Sequence, residues 1–595
     1  MKHLSHQTKI GAVRAEKKIN IKPVDEFSGR RKLVIGLMLV AMIGLVYKAV
    51  ELQILDTQFL QKQARIRHVS TVKIAAYRGQ IKDRNGERLA VSAPVGSIWV
   101  NPQYCRVKTG RRAKQACAEL NNSAKLKQLA DLLDISLDRV NRAFNPASKK
   151  QFVYLKRRIE PYLAEQVKAL GQPGVAVVKE FKRFYPAGEV TAHLLGFTDI
   201  DDQGQEGLEL MHNSTLEGVA GSKRVIRDGA RRVIAEYDVE SIKEPEAGQD
   251  LVLSIDERLQ YLAYRELKAG VVKHNAEAGA LVILEAETGN VLAIVNQPAF
   301  NPNSRKGLKI SHYRNRAITD VFEPGSTMKP LVVAAALDGG FIKEDQLFTT
   351  EKLRIQRKWV KDGRDYGTLN LTGVLKKSSN VAASKIALSM PPEYFWRFYH
   401  SLGFGMAPGI GFPGEASGSL PEYFGWSAFE QATLSFGYRL SMSALQLARA
   451  YTALADDGLL HSVSLLQRDQ DEYAERVISA ETAVKVRAMI EQVVKKDGTA
   501  YKARVEGYRV AGKTGTVRKV KNGAYSNDYL SVFVGMAPAS DPKLIIAVMV
   551  DSPHGGQYYG GLVAAPIFSK VMGGALRVLG VAPDEEQSMS VLLTQ

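Results

Sequence analysis

Hydrophobic and polar positions change their rhythm several times along the chain. LVIGLMLVAMIGLVYKAV (33–50) is apolar over eighteen residues except for Lys48 near its far end. That length spans a bilayer as one helix, and a terminal lysine can snorkel to the headgroups. No A-x-A step follows and 32 residues precede it, so it reads as a retained anchor rather than a cleaved signal. Residues 51 to about 76 read as a helical stalk followed by a strand. In RGQIKDRNGERLA (78–90) the Asn85-Gly86 step between apolar-alternating segments predicts a hairpin. Helical spacing follows over 123–144 and 161–170, and residues 182–210, dense in glycine and turn formers, predict an irregular mixed module.

A polar Pro/Gly cluster, KEPEAGQ (243–249), marks a boundary. Beyond it a strand, LVLSID, leads into a helix beginning near Glu257. GALVILEA and NVLAIVN read as buried strands joined by Glu287-Thr288-Gly289. A long helical middle is expected from 328 to about 455, then a second hairpin of YLSVFVGM and KLIIAVMV, then a last helix over about 566–579. Strands at both chain ends with helices between predict one sheet closed by those ends, an α+β domain. The expected divisions are a basic tail (1–32), an anchor (33–50), a non-catalytic module (51–245), a C-terminal domain (246–580) and a polar tail (581–595).

The first 32 residues carry nine Lys/Arg and three acids, which holds this tail in the cytoplasm and places the rest outside. The whole chain has a formal charge of +19, so the exported part is basic too. A basic surface can meet an acidic polymer or anionic lipid, or be merely solvated. Without zinc-finger spacing, an RNP-like aromatic run or basic heptads, nucleic acid is excluded as a partner. Cys105 and Cys117 could be bridged in an oxidising compartment or stay as two free thiols; both readings remain open. Ten scattered histidines form no ligand-like cluster, so neither a metal nor a cofactor is expected.

The chemistry lies in two phrases. GYRVAGKTGT (507–516) fits G-x-x-x-x-G-K-T, a phosphate loop, yet also ends in K-T-G-T. A phosphate loop should open a helix, whereas TGTVRKVKNG is β-branched and carries Gly515 where that helix would begin. A strand fits better, and the missing Cβ of Gly515 would let a substrate backbone approach closely. In EPGSTMKP (323–330), Ser326 and Lys329 share a helix face. Pro330 cannot donate to the carbonyl of Ser326, so the helix must start at or near that serine. There the helix dipole and a backbone N–H can stabilise an alkoxide or an oxyanion, and Lys329 can accept a proton if burial or a second cation lowers its pKa. S-x-x-K alone is weak, because Ser70–Lys73 and Ser540–Lys543 match equally well. Only one set continues through Ser378-Ser379-Asn380, at an expected helix start, to Lys513-Thr514-Gly515-Thr516.

This ordered triple resembles the penicilloyl serine transferases, and the chain from about 78 to 579 resembles their class B penicillin-binding proteins. RGQIKDRNGERLA, RFYPAGEVTAHLLGF, GYRLSMSALQLARAYTALADDG and YYGGLVAAPIF each look like recurring phrases of that class. The resemblance implies a membrane-anchored pedestal below a transpeptidase domain with an antiparallel sheet flanked by helices. It implies Ser326 as nucleophile, Lys329 as its proton partner and Ser378 as proton relay, with Lys329 and Ser378 both open as acylation base. Asn380 would bind the substrate amide and Lys513 would add positive charge. Thr514 and Thr516 would take the donor carboxylate, and the N–H groups of Ser326 and Thr516 would form the oxyanion hole. The implied substrates are a D-Ala-D-Ala stem peptide and an amine acceptor, with β-lactams as covalent inhibitors. The implied place is the inner membrane with the catalytic domain in the periplasm, beside a polytopic glycosyltransferase and division regulators. KSSNVAASKIAL with KTGTVRK resembles the septal rather than the elongation type; a non-catalytic receptor or scaffold is the alternative of another kind. Arg439, Ser443 and Ala444 depart from the class, which usually shows Gly, Thr and Pro there.

Overall fold

The computed structural model describes residues 28–104, 123–145, 147–150, 152–227, 233–236, 242–304, 307, 309–470, 473–521 and 523–585. The tail up to residue 27, both cysteines and the polar tail from 586 onward lie outside the described residues. The chain divides into two compact units, one of residues up to Val72 with Lys223–Ser241 and one of Lys73–Ser222 with Ile242 onward.

In the first unit the anchor stretch lies in helix α1 (Ser28–Val50). Its apolar side chains face outward all round, with Leu33 67% and Leu45 71% exposed, as suits a helix whose solvent is lipid. A π-helical turn and the helix Thr57–His68 then lead into a strand, Val69–Ile74.

In the second unit the Asn85-Gly86 hairpin forms, with Ile81 opposite Ala90 and Gly86 at φ +88°. Asp83 organises the turn: Oδ1 accepts the N–H groups of Asn85 and Glu87, both at 2.8 Å. Its Oδ2 accepts the N–H of Glu257 at 3.1 Å, so a turn of the N-terminal module helps cap the first helix of the C-terminal domain, α2 (Glu257–Lys273). The long strand Arg88–Val100 pairs with Val153–Ile159 on one side and Val175–Phe184 on the other. The single helix expected over 123–144 is two, Ser123–Leu133 and Leu137–Ala143. Asp134 takes φ +48° between them and Ser136 caps the second.

The sheet of the C-terminal domain has strands β1 (Ala276–Glu285), β2 (Val291–Gln297), β3 (Ala511–Lys521), β4 (Ala524–Ala537) and β5 (Leu544–Pro553). Their order is β2-β1-β5-β4-β3, antiparallel throughout, and the chain ends meet where Leu281 faces Val548. Strands β1, β2 and β5 are buried nearly throughout, which is why their sequences run apolar instead of alternating. Helix α3 (Lys329–Asp338) is buried on every side from Lys329 to Ala336.

The middle is less helical than expected. Two ribbons interrupt it, Phe348–Thr349 with Thr368–Leu369 and Leu353–Ile355 with Lys358–Val360. The second turns through Gln356 at φ +54° and Arg357, lacking the Asn-Gly signal that would have announced it. Helices α4 (Leu371–Lys377) and α5 (Asn380–Leu388) follow. The last helix, α6 (Gly560–Val578), begins six residues before the expected Pro566. Its start is pressed onto the sheet: a Cβ on Gly560 would lie 2.3 Å from the carbonyl oxygen of Gly515 and 2.4 Å from that of Val532. Although α6 is apolar enough to span a membrane, it is mostly buried and packs on the sheet, with Phe568 4.6 Å from Phe533.

Candidate active site

Ser326 lies in one 3₁₀ turn, Gly325–Met328, that runs directly into α3. The N–H of Lys329 donates to the carbonyl of Ser326, so an i to i+3 bond replaces the one Pro330 cannot make. Residues three apart eclipse in a 3₁₀ turn, so Ser326 and Lys329 align more directly than on the α-helical face expected from spacing. Neighbours fix the turn. Gly325 takes φ +62°, and a Cβ on Gly437 would sit 2.2 Å from its carbonyl oxygen. The Tyr451 hydroxyl donates to the carbonyl of Thr327 at 2.7 Å.

Ser378 stands between α4 and α5. It is the C-cap of α4, at φ +59°, while Ser379 is the N-cap of α5, accepting from Ala382 N–H at 3.0 Å. The left-handed conformation costs a non-glycine residue about 1 kcal/mol. In this position Ser378 Oγ accepts from Lys329 Nζ at 3.2 Å and from Lys513 Nζ at 3.0 Å. Lys329 Nζ also donates to the Ser378 carbonyl at 2.5 Å and to Asn380 Oδ1 at 2.7 Å. The half-buried Ser326 hydroxyl makes no hydrogen bond to a described residue.

Both lysines are fully buried. Burial, then the nearby charge of Lys513, pushes Lys329 well below the ordinary ammonium range, against the pull of Asp362. Burial lowers Lys513 to about 7. Thus two amines converge on one hydroxyl in an environment that disfavours their protonation.

Asp362 escaped the sequence reading. From the loop after Lys358–Val360, its carboxylate accepts from Asn380 N–H and Ser379 Oγ, each at 2.5 Å, and from Val381 N–H at 3.2 Å. It therefore fixes the start of α5 and with it Asn380. Its only signal was a carboxylate in a loop, indistinguishable from a solvated one.

On β3, alternation puts Lys513 and Gly515 on one face and Thr514 and Thr516 on the other. The space above Gly515 belongs to the serine turn: a Cβ there would lie 2.8 Å from the carbonyl of Pro324 and 3.2 Å from Thr327 Cγ2. The close approach expected of a substrate backbone is thus made by the protein itself. Thr516 Oγ1 accepts from Gly560 N–H at 2.9 Å, and the nearly buried Thr514 donates from Oγ1 to Thr499 Oγ1 at 3.1 Å. Neither Thr499 nor the start of α6 was expected beside these threonines.

The three departures have local accounts. Arg439 takes φ +67°, which explains glycine as the usual residue. Its N–H donates to Glu323 Oε1 at 2.8 Å and its guanidinium pairs with Glu430 at 2.7 Å. Ser443 forms a capping box with Gln446, as a threonine could, and Ala444 fills the first helical position, where proline is favoured. Among the described residues, no three His, Cys, Asp or Glu side chains gather as metal ligands.

Comparison with known proteins gives two family matches. Residues 279–573 match the penicillin binding protein transpeptidase domain, and residues 73–253 match the penicillin-binding protein dimerisation domain. The chain is 41% identical over 558 residues to the peptidoglycan D,D-transpeptidase FtsI of Escherichia coli K12, covering 94% of this chain and 93% of the relative. It is 40% identical over 568 residues to the probable peptidoglycan D,D-transpeptidase PenA of Neisseria meningitidis, covering 95% and 96%. Among solved structures, the apo transpeptidase domain of Burkholderia pseudomallei penicillin-binding protein 3 matches with a TM-score of 0.52 at 44% identity. It covers 56% of this chain and 98% of that domain.

Proposed function

This chain belongs to the class B penicillin-binding proteins, and on that premise we propose that it is a septal peptidoglycan D,D-transpeptidase with Ser326 as nucleophile. The observation that carries the residue assignment is the buried pair of amines meeting at Ser378 Oγ. Once neutral, Lys329 keeps two hydrogens, matching its two shorter contacts to the Ser378 carbonyl and Asn380, and frees a lone pair for a proton. Ser326 Oγ then attacks the penultimate D-Ala carbonyl and passes its proton to Lys329, while the N–H groups of Ser326 and Thr516 bind the developing oxyanion. Collapse breaks the amide bond. The departing D-Ala amine receives a proton through Ser378, leaving an ester on Ser326. An amine of a second stem attacks that ester, loses its proton to the same network and releases Ser326 as the cross-link forms. Lys513 donates to Ser378 Oγ and, in its protonated form, adds positive charge there, while Thr514 and Thr516 hold the donor carboxylate.

The septal role rests on Asn380, where elongation-type enzymes often carry Asp, and on the likeness to FtsI. Helix α1 supplies a single-pass anchor in the inner membrane, with the pedestal of about 51–245 and the domain of about 246–580 in the periplasm. That pedestal docks a polytopic glycosyltransferase and division regulators. A fluorescent penicillin tests the chemistry: wild-type protein is labelled and Ser326→Ala is not. Absence of wild-type labelling overturns the catalytic reading in favour of a receptor, and labelling followed by fast release indicates a hydrolase. Depletion in cells should give filaments; round cells would assign the enzyme to elongation.

A further inference from the structure

The stretch from Gly437 to Tyr451 runs alongside the nucleophile turn and holds it at three points. The N–H of Phe322 donates to the carbonyl of Met442 at 2.9 Å, and the return bond is 3.0 Å. The N–H of Gly325 donates to the carbonyl of Gly437 at 3.2 Å. The third point is the Tyr451 hydroxyl on the carbonyl of Thr327, at 2.7 Å. From another side β3 closes the turn in, for a Cβ on Gly325 would lie 2.4 Å from Val517 Cγ2.

The first two points are backbone bonds, but the third depends on one side chain and meets one particular carbonyl. The 3₁₀ turn ends with the bond from Lys329 N–H to the carbonyl of Ser326, and the first bond of α3 goes to the carbonyl of its N-cap, Met328. Thr327 lies between them. A further 3₁₀ bond to its carbonyl would have to come from Pro330, which has no N–H. The change from one helical pitch to the other therefore strands a carbonyl of a fully buried residue directly after the serine, where an unmade hydrogen bond is costly. Tyr451 supplies the donor. Its side chain is fully buried and stands at the break between the helices Ala444–Ala450 and Thr452–Ala455. Burial raises the phenol well above its ordinary range, so the proton stays on the oxygen that donates it.

Without that hydroxyl, the backbone donor left for the Thr327 carbonyl is the N–H of Leu331, four residues on, and that bond draws the turn toward α-helical pitch. Ser326 and Lys329, eclipsed in a 3₁₀ turn, then separate by about 60° around the axis, and the Ser326 N–H rotates with them. We infer, resting on the transpeptidase reading, that Tyr451 is a positioning residue for acyl transfer: its hydroxyl keeps the Ser326 turn in 3₁₀ form, with Oγ aligned to Lys329 and the Ser326 N–H aimed at the oxyanion. It touches no substrate, and none of its own bonds changes in the reaction.

The test uses the full chain, with Tyr451→Phe keeping the buried ring and removing only the oxygen. Acylation by fluorescent penicillin over a range of concentrations gives the maximal rate and the half-saturating concentration separately, and the fraction finally labelled counts the folded sites. The maximal rate should fall about tenfold, with the half-saturating concentration and the labelled fraction at wild-type values. Tyr451→4-aminophenylalanine keeps a donor and should return the rate to within about twofold of wild type. An unchanged maximal rate in Tyr451→Phe overturns the proposal. So does a smaller labelled fraction at the wild-type rate, the mark of a tyrosine needed only for folding, and so does a raised half-saturating concentration at constant rate, which assigns the hydroxyl to binding. If Tyr451→Phe does not fold, Tyr451→4-fluorophenylalanine fills the space of the hydroxyl without donating and carries the same loss, and a wild-type rate there is equally fatal. Failure of penicillin to label the wild type overturns the underlying transpeptidase reading instead.

Discussion

Among the charges buried in the described residues, two groups are built on opposite plans. In the N-terminal module Glu209 lies between Arg78, with Nε to Oε2 at 2.7 Å, and Arg183, with Nε to Oε1 at 2.6 Å, all three buried. Arg78 also donates to the carbonyls of Glu209 and Asp202. In the candidate active site Lys329 and Lys513 are just as buried but meet hydroxyl, amide and carbonyl oxygens, with no described carboxylate in direct contact. A paired buried charge is held in one state and ties segments together, whereas two like charges without a bonded counter-ion are driven toward neutrality and become reactive. Burial alone says neither.

The sharpest break in that comparison is Lys329→Met. Penicillin acylation should fall about 10³-fold, the usual range for a lost general base. Stability should fall by only about 1–2 kcal/mol, since methionine fills the space of an amine already driven toward neutrality and forfeits its hydrogen bonds to Ser378 and Asn380. Urea unfolding read beside labelling kinetics separates the two effects, and a large stability loss would put the lysine in the structural group. Glu209→Leu should do the reverse: about 3–5 kcal/mol lost as two arginines are left buried without their counter-ion, with the labelling rate per folded molecule unchanged. A normal unfolding midpoint would show that the Arg-Glu-Arg contact is not structural.

A pH series sharpens the contrast. Lys513 has a folded pKa of about 7, below the roughly 10.4 of an unfolded lysine. Between those values the unfolded chain binds the extra proton, so stability climbs as pH rises through that window. Lys513→Met should flatten the climb by up to about 1.4 kcal/mol per pH unit. An unaltered slope would mean that the amine stays charged when folded. Acylation should likewise decline as pH falls and Lys329, depressed by burial and by Lys513, regains its proton. The smallest effect concerns neither group. Ser443 is already extended ahead of Ala444, so Ala444→Pro should raise stability by about 0.5 kcal/mol by restricting the unfolded chain, leaving both buried clusters untouched. A lowered midpoint would show that the proline does not fit this helix start.

Much of the scaffold was legible. The anchor, the Asn85-Gly86 hairpin and two of the three hairpins of the main sheet, β1–β2 and β4–β5, announced themselves because local spacing and turn chemistry set them. The Leu353–Val360 ribbon did not, since its turn uses Gln356 where Asn-Gly would have been the signal. Pro566 suggested too late a start for α6, because what decides that start is the close fit of Gly560 against β3 and β4.

The sequence by itself determined which side chains are capable of chemistry and their order along the chain, because S-x-x-K, S-x-N and K-T-G-T are local patterns constrained by helix starts and strand alternation. It also set out the phrases holding Arg78, Arg183 and Glu209 without revealing that they meet. Only the tertiary structure decided that those three form one ion cluster, that Asp362 and Thr499 stand behind the site, and that both lysines lose contact with water. The reason is physical: burial and electrostatic environment are set by segments 49 to 135 residues apart closing on one another, and no local period encodes that enclosure.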